Sequence, residues 1–275
     1  MNANSDTERL GESLSETKRQ LEAYRSKGQV VVDAIDSLDR LEEFVADPTG
    51  GNVRDAIKIA RGLNEEVETL KGFTTSIEGT IAQTFQWLEE RFMAEAHVVE
   101  GRVEMTPVEA EGFILDIGGG GEGIIGRLNG RDVVAIDLSI RELEETENES
   151  LKLVMDAADL KFLPSSFAAT TSFFTLLYVD REKQEKVFSE VHRVLEEGGR
   201  FLIWDVAIPE RVEGKSFFLV RLEIALPDEK VDSGYGVPLV HQDIEYFKGL
   251  AGKTGFKVAD EWCRGELFHL ELVKG

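Results

Sequence analysis

Residues 113–128 read FILDIGGGGEGIIGRL, and this stretch decides the fold of the chain. Its apolar beginning predicts a short buried strand, and its apolar end predicts the start of a helix. Between the two, five glycines occupy the six positions 118–123. Because glycine has no Cβ, the backbone can take positive φ there and a bound molecule can lie directly against it. Strand, glycine turn and helix in this order predict a nucleotide-type cofactor cradle at the carboxyl end of a parallel strand.

The composition is that of a soluble globular protein. The 275 residues are 42% hydrophobic and 31% charged, enough for one sizeable core plus a smaller domain. The formal net charge of −22 disfavours a nucleic-acid partner, although it also serves solubility alone. The single cysteine, Cys263, excludes an intramolecular disulfide and leaves no cysteine cluster for zinc. We expect Cys263 to be a buried packing residue and expect no bound metal.

The sequence gives no sign of a targeting or membrane segment. It begins MNANSD, without the basic flank and apolar stretch of a signal peptide. No window approaches the length of apolar sequence that a membrane span needs. We therefore expect a cytoplasmic protein.

Residues 1–95 are predicted to form helices throughout. Apolar residues recur there at a 3-4 spacing, as in the series Leu10, Leu14, Thr17 and Leu21 and again in Ile35, Leu38 and Leu41. Two interpretations stay open. The helices form a bundle that packs or mediates a homodimer, or they form a cap over a substrate pocket.

Residues 96–275 are predicted to form a second domain, in which strands and helices alternate from about residue 113 onward. The predicted strands are residues 113–117, 132–136, 151–155, 169–177, 200–206, 256–263 and 267–273, and the predicted helices are 123–128, 140–145, 181–196 and 242–254. This alternation implies βαβ crossovers and a Rossmann-like α/β fold with a seven-stranded, mainly parallel sheet. The last two strands are too close in sequence for a crossover, so they must form an antiparallel hairpin.

The stretch 208–240 interrupts the alternation. Its apolar part at 216–226, a turn at 227–230 and a returning segment at 231–235 predict an inserted β-hairpin. A hairpin at this place would lie beside the cofactor cradle and could shape a substrate pocket. A surface hairpin or a dimer edge is the alternative interpretation.

Three aspartates lie at the carboxyl ends of the first three predicted strands: Asp116 within the first, and Asp137 and Asp156 directly after the next two. A carboxylate after the second strand can accept both hydroxyls of a ribose, and one after the third can accept from an adenine amino group. Three carboxylates would repel a pyrophosphate. They suit a ligand that carries a sulfonium, an ammonium, a ribose and an adenine.

The stretch 113–206 resembles class I S-adenosylmethionine-dependent methyltransferases of the small-molecule type that includes the ubiquinone and menaquinone methylases. Four segments carry the resemblance: ILDIGGG at 114–120, AIDLS at 135–139, MDAADLKFLP at 155–164 and VFSEVHRVLEEGGRFLI at 187–203. Glu122 departs from the family, which commonly has glycine there. No Asn-Pro-Pro-Tyr occurs, so the resemblance does not extend to methylases of nucleic-acid or glutamine amino groups.

The resemblance implies S-adenosylmethionine as cofactor and S-adenosylhomocysteine as product. It implies cofactor-binding roles for one set of residues: Asp116, Gly118, Gly119 and Gly120 for the methionine half, Asp137 and Leu138 for the ribose, and Asp156 and Ala157 for the adenine.

Few side chains are candidates for a general base, which methyl transfer needs only if the acceptor must lose a proton. His241 opens the helix after the insertion, and Tyr178 follows the fourth strand. Asp205 and Tyr235 are weaker candidates, and a structural role is open for all four. His192 is expected to be structural.

The sequence therefore predicts an enzyme that transfers a methyl group from S-adenosylmethionine to an oxygen, nitrogen or carbon atom of a small molecule. Two alternatives stay open. One is a non-catalytic S-adenosylmethionine-binding or regulatory module, and the other is an NAD(P)-linked oxidoreductase, which Asp116 argues against.

Overall fold

The structure, a computed structural model, describes residues 3–22, 29–46, 56, 59–60 and 75–275. The chain divides into two compact units, Met1–Glu95 and Ala96–Gly275. No helix in the described part of the chain is long and apolar enough to cross a membrane.

The first unit contains the helices α1 (Ala3–Glu22), α2 (Gln29–Ala46) and α3 (Thr75–Glu95). The first of them packs against the other two. Members of the two predicted apolar series are buried there: Leu10, Leu14, Thr17, Ile35, Leu38 and Leu41. Leu21 of the first series lies outside the side chains that the structure describes. The role of this unit as a cap or a dimerisation region stays a prediction.

The second unit is built around a seven-stranded sheet. Residues 96–275 contain the strands β1 (Ala96–Glu104), β2 (Ile114–Ile117), β3 (Val133–Asp137), β4 (Leu151–Val154), β5 (Phe167–Phe173), β6 (Leu195–Val206), β7 (Phe217–Ala225), β8 (Lys230–Pro238), β9 (Phe256–Arg264) and β10 (Leu267–Lys274). The large sheet has the order β4-β3-β2-β5-β6-β10-β9. Its first five strands are parallel, and β10 is antiparallel to β6 and β9. This mixed sheet confirms the predicted Rossmann-like α/β class.

Both faces of the large sheet are covered. Four helices lie between its strands along the chain: α4 (Ile124–Asn129), α5 (Ile140–Glu145), α6 (Arg181–Val194) and α7 (Ile244–Thr254). On one face, Phe188 of α6 and Phe247 of α7 share a core with Leu115 of β2. On the other face, Ile125 of α4 packs in a second core with Val133 of β3. Burial on both sides explains why the central strands read as continuous apolar runs.

The second face is completed by a small sheet, which consists of the predicted hairpin and strand β1, a strand that the sequence did not predict. Strands β7 and β8 form an antiparallel hairpin, and β7 also pairs in parallel with β1, from Ala96↔Phe217 to Glu104↔Ala225. The inward side chains of this sheet include Val99, Val103, Phe218, Val220 and Leu222. They lie in the same core as Val133 of the large sheet, so the inserted hairpin is a structural layer of the unit.

Several details differ from the sequence prediction. Strand β5 ends at Phe173 rather than at residue 177, because Phe174 takes a left-handed φ of 48° and Leu176–Tyr178 form a short 3-10 helix. Strand β6 begins at Leu195 rather than at residue 200, with a register shift against β5. Cys263 is exposed rather than buried, because β9 is the edge strand of the sheet.

Candidate cofactor and active site

The carboxyl ends of β2, β3 and β4 bring the three predicted aspartates to one edge of the sheet. Asp116 is in register with Ala135 of β3, and Asp137 is in register with Val154 of β4. Asp156 follows two residues after Val154. Neighbouring parallel strands end at the same edge, and the glycine turn leaves β2 there as well. The sequence motifs therefore converge in space.

The glycine turn is packed so closely that its first two positions exclude a side chain. Gly118 has a φ of +71°, and a Cβ on it would collide with the Thr175 side chain. A Cβ on Gly119 would lie 2.6 Å from Asp116 Oδ2 and 2.8 Å from the Ala135 Cβ. Only glycine satisfies these contacts. A ligand at this edge therefore meets backbone atoms of the turn.

Asp116 lies beneath the turn rather than at its surface. Its residue is only 3% exposed, and its Oδ1 accepts a hydrogen bond from the Thr171 hydroxyl at 2.8 Å. Burial raises the pKa of Asp116 to about 7, the Thr171 hydrogen bond lowers it, and the negative charge of Asp137 raises it further. The charge of this carboxyl group thus depends on what lies next to it near neutral pH.

Asp137 and Asp156 share one local geometry. Oδ1 of Asp137 accepts from the Ser139 N–H at 2.8 Å, and Oδ1 of Asp156 accepts from the Ala158 N–H at 2.8 Å. Both are Asx turns, in which the side chain fixes the backbone just after the strand. A Cβ on Gly120 would lie 2.9 Å from Asp137 Oδ2, so this second oxygen faces the glycine turn.

Apolar surface lies beside these carboxylates. Leu138, directly after Asp137, is 70% exposed, and Ala157, directly after Asp156, is half-buried. Ligand pockets commonly combine apolar walls with a few placed polar groups. The two strand ends provide both kinds of group in consecutive residues.

The segment after Asp156 is held by an ion pair on α6 that the sequence prediction missed. Arg193 pairs with Glu190 at 2.7 Å and also donates to the carbonyls of Leu160 and Phe162, each at 2.8 Å. Glu190 accepts from the Leu160 N–H at 3.0 Å. The Arg193 hydrogen bond lowers the pKa of Glu190. This pair fixes the loop that carries the predicted adenine-side residues.

Residues 115–203 match the sequence profile of a family described as "Methyltransferase domain". They form a class I S-adenosylmethionine-dependent methyltransferase domain. The matched stretch contains all eight predicted cofactor-binding residues and Tyr178, whereas His241 lies beyond it. The finer resemblance to ubiquinone and menaquinone methylases stays a prediction.

Individual proteins show more distant likeness. Carboxy-S-adenosyl-L-methionine synthase of Staphylococcus epidermidis is 27% identical over 136 residues, which cover 46% of this chain and 58% of that protein. The chain thus spans less than two thirds of the length of this relative.

Two solved structures of S-adenosylmethionine-dependent methyltransferases are also similar. The one from Methanosarcina mazei is 19% identical, covers 62% of this chain and 99% of its own, and has a TM-score of 0.45. The one from Mesorhizobium loti is 16% identical, covers 60% of this chain and 93% of its own, and has a TM-score of 0.42.

Aromatic residues follow β5 of the methyltransferase domain. Phe174 stacks on Tyr235 of β8, with ring centroids 5.2 Å apart and an angle of 9° between the rings. Burial and then the charge of Glu122 raise the pKa of Tyr235, so its hydroxyl keeps its proton and donates. Tyr178 lies in the 3-10 helix and is 42% exposed. Of the two tyrosines, Tyr178 is therefore the one that a substrate could reach.

His241 lies just outside the methyltransferase domain, where Ile208 and Gln242 form a β-bridge. Its Nδ1 lies 3.0 Å from the Ile208 carbonyl oxygen. A carbonyl can only accept, so Nδ1 carries the proton in the neutral ring and Nε2 keeps a lone pair. Asp243 Oδ2 lies 3.7 Å from Nε2. The geometry leaves the imidazole able to take a proton.

The remaining candidates have structural surroundings. Asp205 is fully buried and accepts from the Val206 N–H and from Gln242 Nε2, both at 2.8 Å. Burial raises the pKa of Asp205 to about 7. His192 of α6 packs edge-on against Phe256, and burial lowers its pKa. Among the residues that the structure describes, no three His, Cys, Asp or Glu side chains are grouped to hold a metal ion.

Proposed function

We propose that the whole chain binds S-adenosylmethionine at the carboxyl edge of β2, β3 and β4 and transfers its methyl group to an oxygen, nitrogen or carbon atom of a small molecule. One observation carries the proposal. Asp116, Asp137 and Asp156 converge at the sheet edge beside a turn in which side chains are sterically excluded.

Each part of the site would hold a different part of the cofactor. Asp137 would bind the ribose hydroxyls, because its Oδ2 faces the glycine turn while its Oδ1 is engaged by Ser139. Asp156 and Ala157 would bind the adenine, and the exposed Leu138 would cover its apolar surface.

The methionine half would lie against the backbone of Gly118, Gly119 and Gly120. Asp116 would act on it from beneath the turn, since its carboxylate is buried next to Gly119. A negative charge there would attract the sulfonium and the ammonium of the cofactor.

The chemistry asks little of the protein beyond positioning. When bound, S-adenosylmethionine supplies a methyl group whose carbon–sulfur bond breaks as the acceptor's lone pair bonds the carbon, with the electron pair staying on sulfur. The chain's residues would align donor and acceptor and exclude water. If the acceptor must lose a proton, His241 Nε2 is the first candidate to receive it, and Tyr178 would position the acceptor.

Modification of the cofactor itself is a second candidate function. It is favoured by the name of the Staphylococcus epidermidis relative, a carboxy-S-adenosyl-L-methionine synthase. The three carboxylates at the sheet edge argue against it, because they would repel a second carboxyl group near the sulfur. Mass spectrometry of the nucleoside product separates the two functions: methyl transfer yields S-adenosylhomocysteine, and the alternative yields a carboxylated S-adenosylmethionine.

Calorimetry with S-adenosylhomocysteine tests the binding site. Asp137→Ala should weaken binding at least tenfold, because a charge-assisted hydrogen bond to ribose is lost. Asp260→Ala, on the exposed edge strand β9, is the matched control and should bind like the wild type. No binding by the wild type, or equal binding by Asp137→Ala, would contradict the proposal.

A labelled-methyl assay over a panel of small acceptors tests turnover. Binding without turnover across the panel would favour a non-catalytic regulatory module. Retention of NADH without affinity for S-adenosylhomocysteine would favour an oxidoreductase. A cytoplasmic location and a homodimer through the N-terminal helices remain predictions.

A further inference from the structure

Glu122 provides the only side chain in the glycine turn at 118–123. Its carboxylate accepts hydrogen bonds from two hydroxyls on strand β8, those of Ser233 and Tyr235, the latter at 3.3 Å. The residue that departs from the family pattern is thus the one that connects the turn to the inserted hairpin.

A second connection runs through Arg127 of α4. Its Nε donates to the backbone carbonyl of Glu122 at 2.7 Å, and its Nη1 lies 3.1 Å from Oε1 of Glu229. Glu229 belongs to the turn that joins β7 to β8. Both the side chain and the backbone of Glu122 are therefore tied to the hairpin. We call Glu122, Arg127, Glu229, Ser233 and Tyr235 the latch.

The hairpin is a firm anchor for these contacts. Phe218 and Val220 of β7 are fully buried in the core beneath it. Tyr235 is further held by its stacking on Phe174. Because Tyr235 is fixed by its ring, its hydroxyl meets Glu122 at little further cost in side-chain entropy.

The opposite side of the turn is held by the segment after α5. The Thr146 hydroxyl donates to the Gly121 carbonyl at 3.0 Å, and the Asn148 amide donates to the Gly123 carbonyl at 3.1 Å. Glycines lose more conformational freedom on ordering than any other residue. A turn with five of them needs anchors on both sides to keep one shape, and the latch supplies one side.

We propose that Glu122 is a positioning residue that fixes the glycine turn in its cofactor-binding shape, so that the hairpin β7–β8 sets the affinity for the cofactor. This inference rests on the proposed function. Glu122 acts through the backbone of the turn. Fixing a binding loop before the ligand arrives raises affinity by removing the ordering cost from the binding step.

Coupling of this kind is reciprocal. If the hairpin favours the cofactor-binding shape of the turn, a bound cofactor must in turn stabilise the contacts of the hairpin. The backbone amides of residues 230–237 on β8 should therefore exchange hydrogen more slowly in the complex than in the free protein.

Calorimetry with S-adenosylhomocysteine on latch variants is the first test. Glu122→Ala should weaken binding about tenfold, since it removes hydrogen bonds to a charged group. Glu122→Gln keeps an acceptor oxygen and should restore most of the affinity. Ser233→Ala and Tyr235→Phe remove the donors one at a time, leave the sequence of the turn unchanged, and should each show part of the effect.

Glu223→Gln is the matched control. Glu223 lies on the same hairpin, but it pairs with Arg102 at 3.1 Å and Lys230 at 3.3 Å on the outer face and not with the glycine turn. The affinity of Glu223→Gln for S-adenosylhomocysteine should equal that of the wild type. An equal loss in Glu223→Gln and Glu122→Ala would mean that general damage to the hairpin, and not the latch, lowers affinity.

Hydrogen exchange of the free protein separates this inference from the proposed function. Glu122→Ala should speed exchange of the amides at 118–123 and leave β9 and β10 unchanged, whether or not a cofactor binds. If the wild type binds S-adenosylhomocysteine while Glu122→Ala shows unchanged affinity and exchange, the inference is overturned and the proposed function stands. If the wild type does not bind, the proposed function fails, and with it the claim about affinity.

Discussion

The carboxylate of Asp116 accepts a hydrogen bond of 2.8 Å from the hydroxyl of Thr171, its register partner on the neighbouring strand. Both residues are buried on the two central strands of the sheet, β2 and β5, near the carboxyl ends of these strands and directly beneath the glycine turn. A titratable group thus lies where the proposed cofactor would bring a positive charge. Burial disfavours the ionised form of Asp116, and a cation above the turn would favour it.

The first prediction concerns the pH dependence of cofactor binding. Affinity for S-adenosylmethionine should rise between about pH 6 and pH 8, because the pKa of Asp116 is raised to about 7 and the sulfonium favours the ionised carboxylate. Calorimetry in two buffers of different ionisation enthalpy should show release of protons on binding. Asp116→Asn should remove the dependence. S-adenosylhomocysteine, whose sulfur is neutral, should show a smaller rise in the wild type; equal slopes for both ligands would contradict the argument.

The second prediction concerns stability without ligand. Burial raises the pKa of Asp116 and of Asp205 to about 7, so the folded protein holds protons there that the unfolded chain has lost. The stabilising effect of these protons is full below about pH 4 and is lost as the pH rises through about 7. Each bound proton adds about 1.4 kcal/mol to the free energy of unfolding for every pKa unit by which the folded and unfolded states differ. Urea unfolding at about pH 5 and about pH 8 measures the loss.

Variants isolate this effect from the general repulsion of a chain with net charge −22. Asp116→Asn and Asp205→Asn should each lose less stability than the wild type as the pH rises between the two conditions. The exposed Asp260→Asn should behave like the wild type. Glu190 does not interfere, because its pKa is lowered and its contribution is lost only in more acidic solution.

The sequence predicts structure well where neighbouring residues in the chain determine it. It predicts the strands β2, β3 and β4, whose carboxyl ends lie at or near Asp116, Asp137 and Asp156, because each is a short apolar run next to its own turn. It predicts the glycine turn from adjacent residues. The alternation of strands and helices then places the carboxyl ends of these strands at one edge of the sheet, because parallel strands joined by crossovers all end at the same edge.

The sequence is uninformative where partners are far apart in the chain. Strand β1 has no local pattern that shows its parallel pairing with β7. Glu122 stands out in sequence only as a departure from the family, because its partners on β8 lie 111 and 113 residues later. The Glu190–Arg193 pair reads in sequence as an ordinary helix ion pair, and its hold on Leu160 appears only in three dimensions.

The third prediction tests His241. If the acceptor must lose a proton, His241→Asn should lower kcat by about 10² to 10⁴ and leave the Kd for S-adenosylhomocysteine unchanged. His97→Asn, on β1 in the small sheet, is the control. A fall in kcat no larger than that of the control would mean that His241 has a structural role.

The fourth prediction tests the support of the adenine side. Arg193→Ala removes the donors to the carbonyls of Leu160 and Phe162 and leaves Glu190 without its partner. Affinity for S-adenosylhomocysteine should fall about tenfold, because the loop after Asp156 loses its anchors. Arg131→Ala removes an exposed ion pair with Glu149 and should change nothing. If Arg193→Ala and Arg131→Ala bind S-adenosylhomocysteine equally well, the adenine-side loop does not need Arg193 to keep its binding shape.

The fifth prediction tests the close packing of the turn. Gly119 has no positive φ, so Gly119→Ala adds a methyl group without backbone strain, yet that methyl would lie 2.6 Å from Asp116 Oδ2 and 2.8 Å from the Ala135 Cβ. The turn must move away from β3 to accept it, and overpacking of this kind typically costs about 1–3 kcal/mol. We expect at least a tenfold loss of affinity for S-adenosylhomocysteine by calorimetry and a lower melting temperature.

Gly249→Ala is the control for Gly119→Ala. Gly249 lies within α7, where a Cβ would meet nothing within 4 Å. Alanine is the better helix former, so this variant should be as stable as the wild type or more so, by up to about 1 kcal/mol. Its affinity should be unchanged. If Gly119→Ala binds as tightly as Gly249→Ala, the turn is looser than its contacts indicate, and its glycines do not shape the cofactor site.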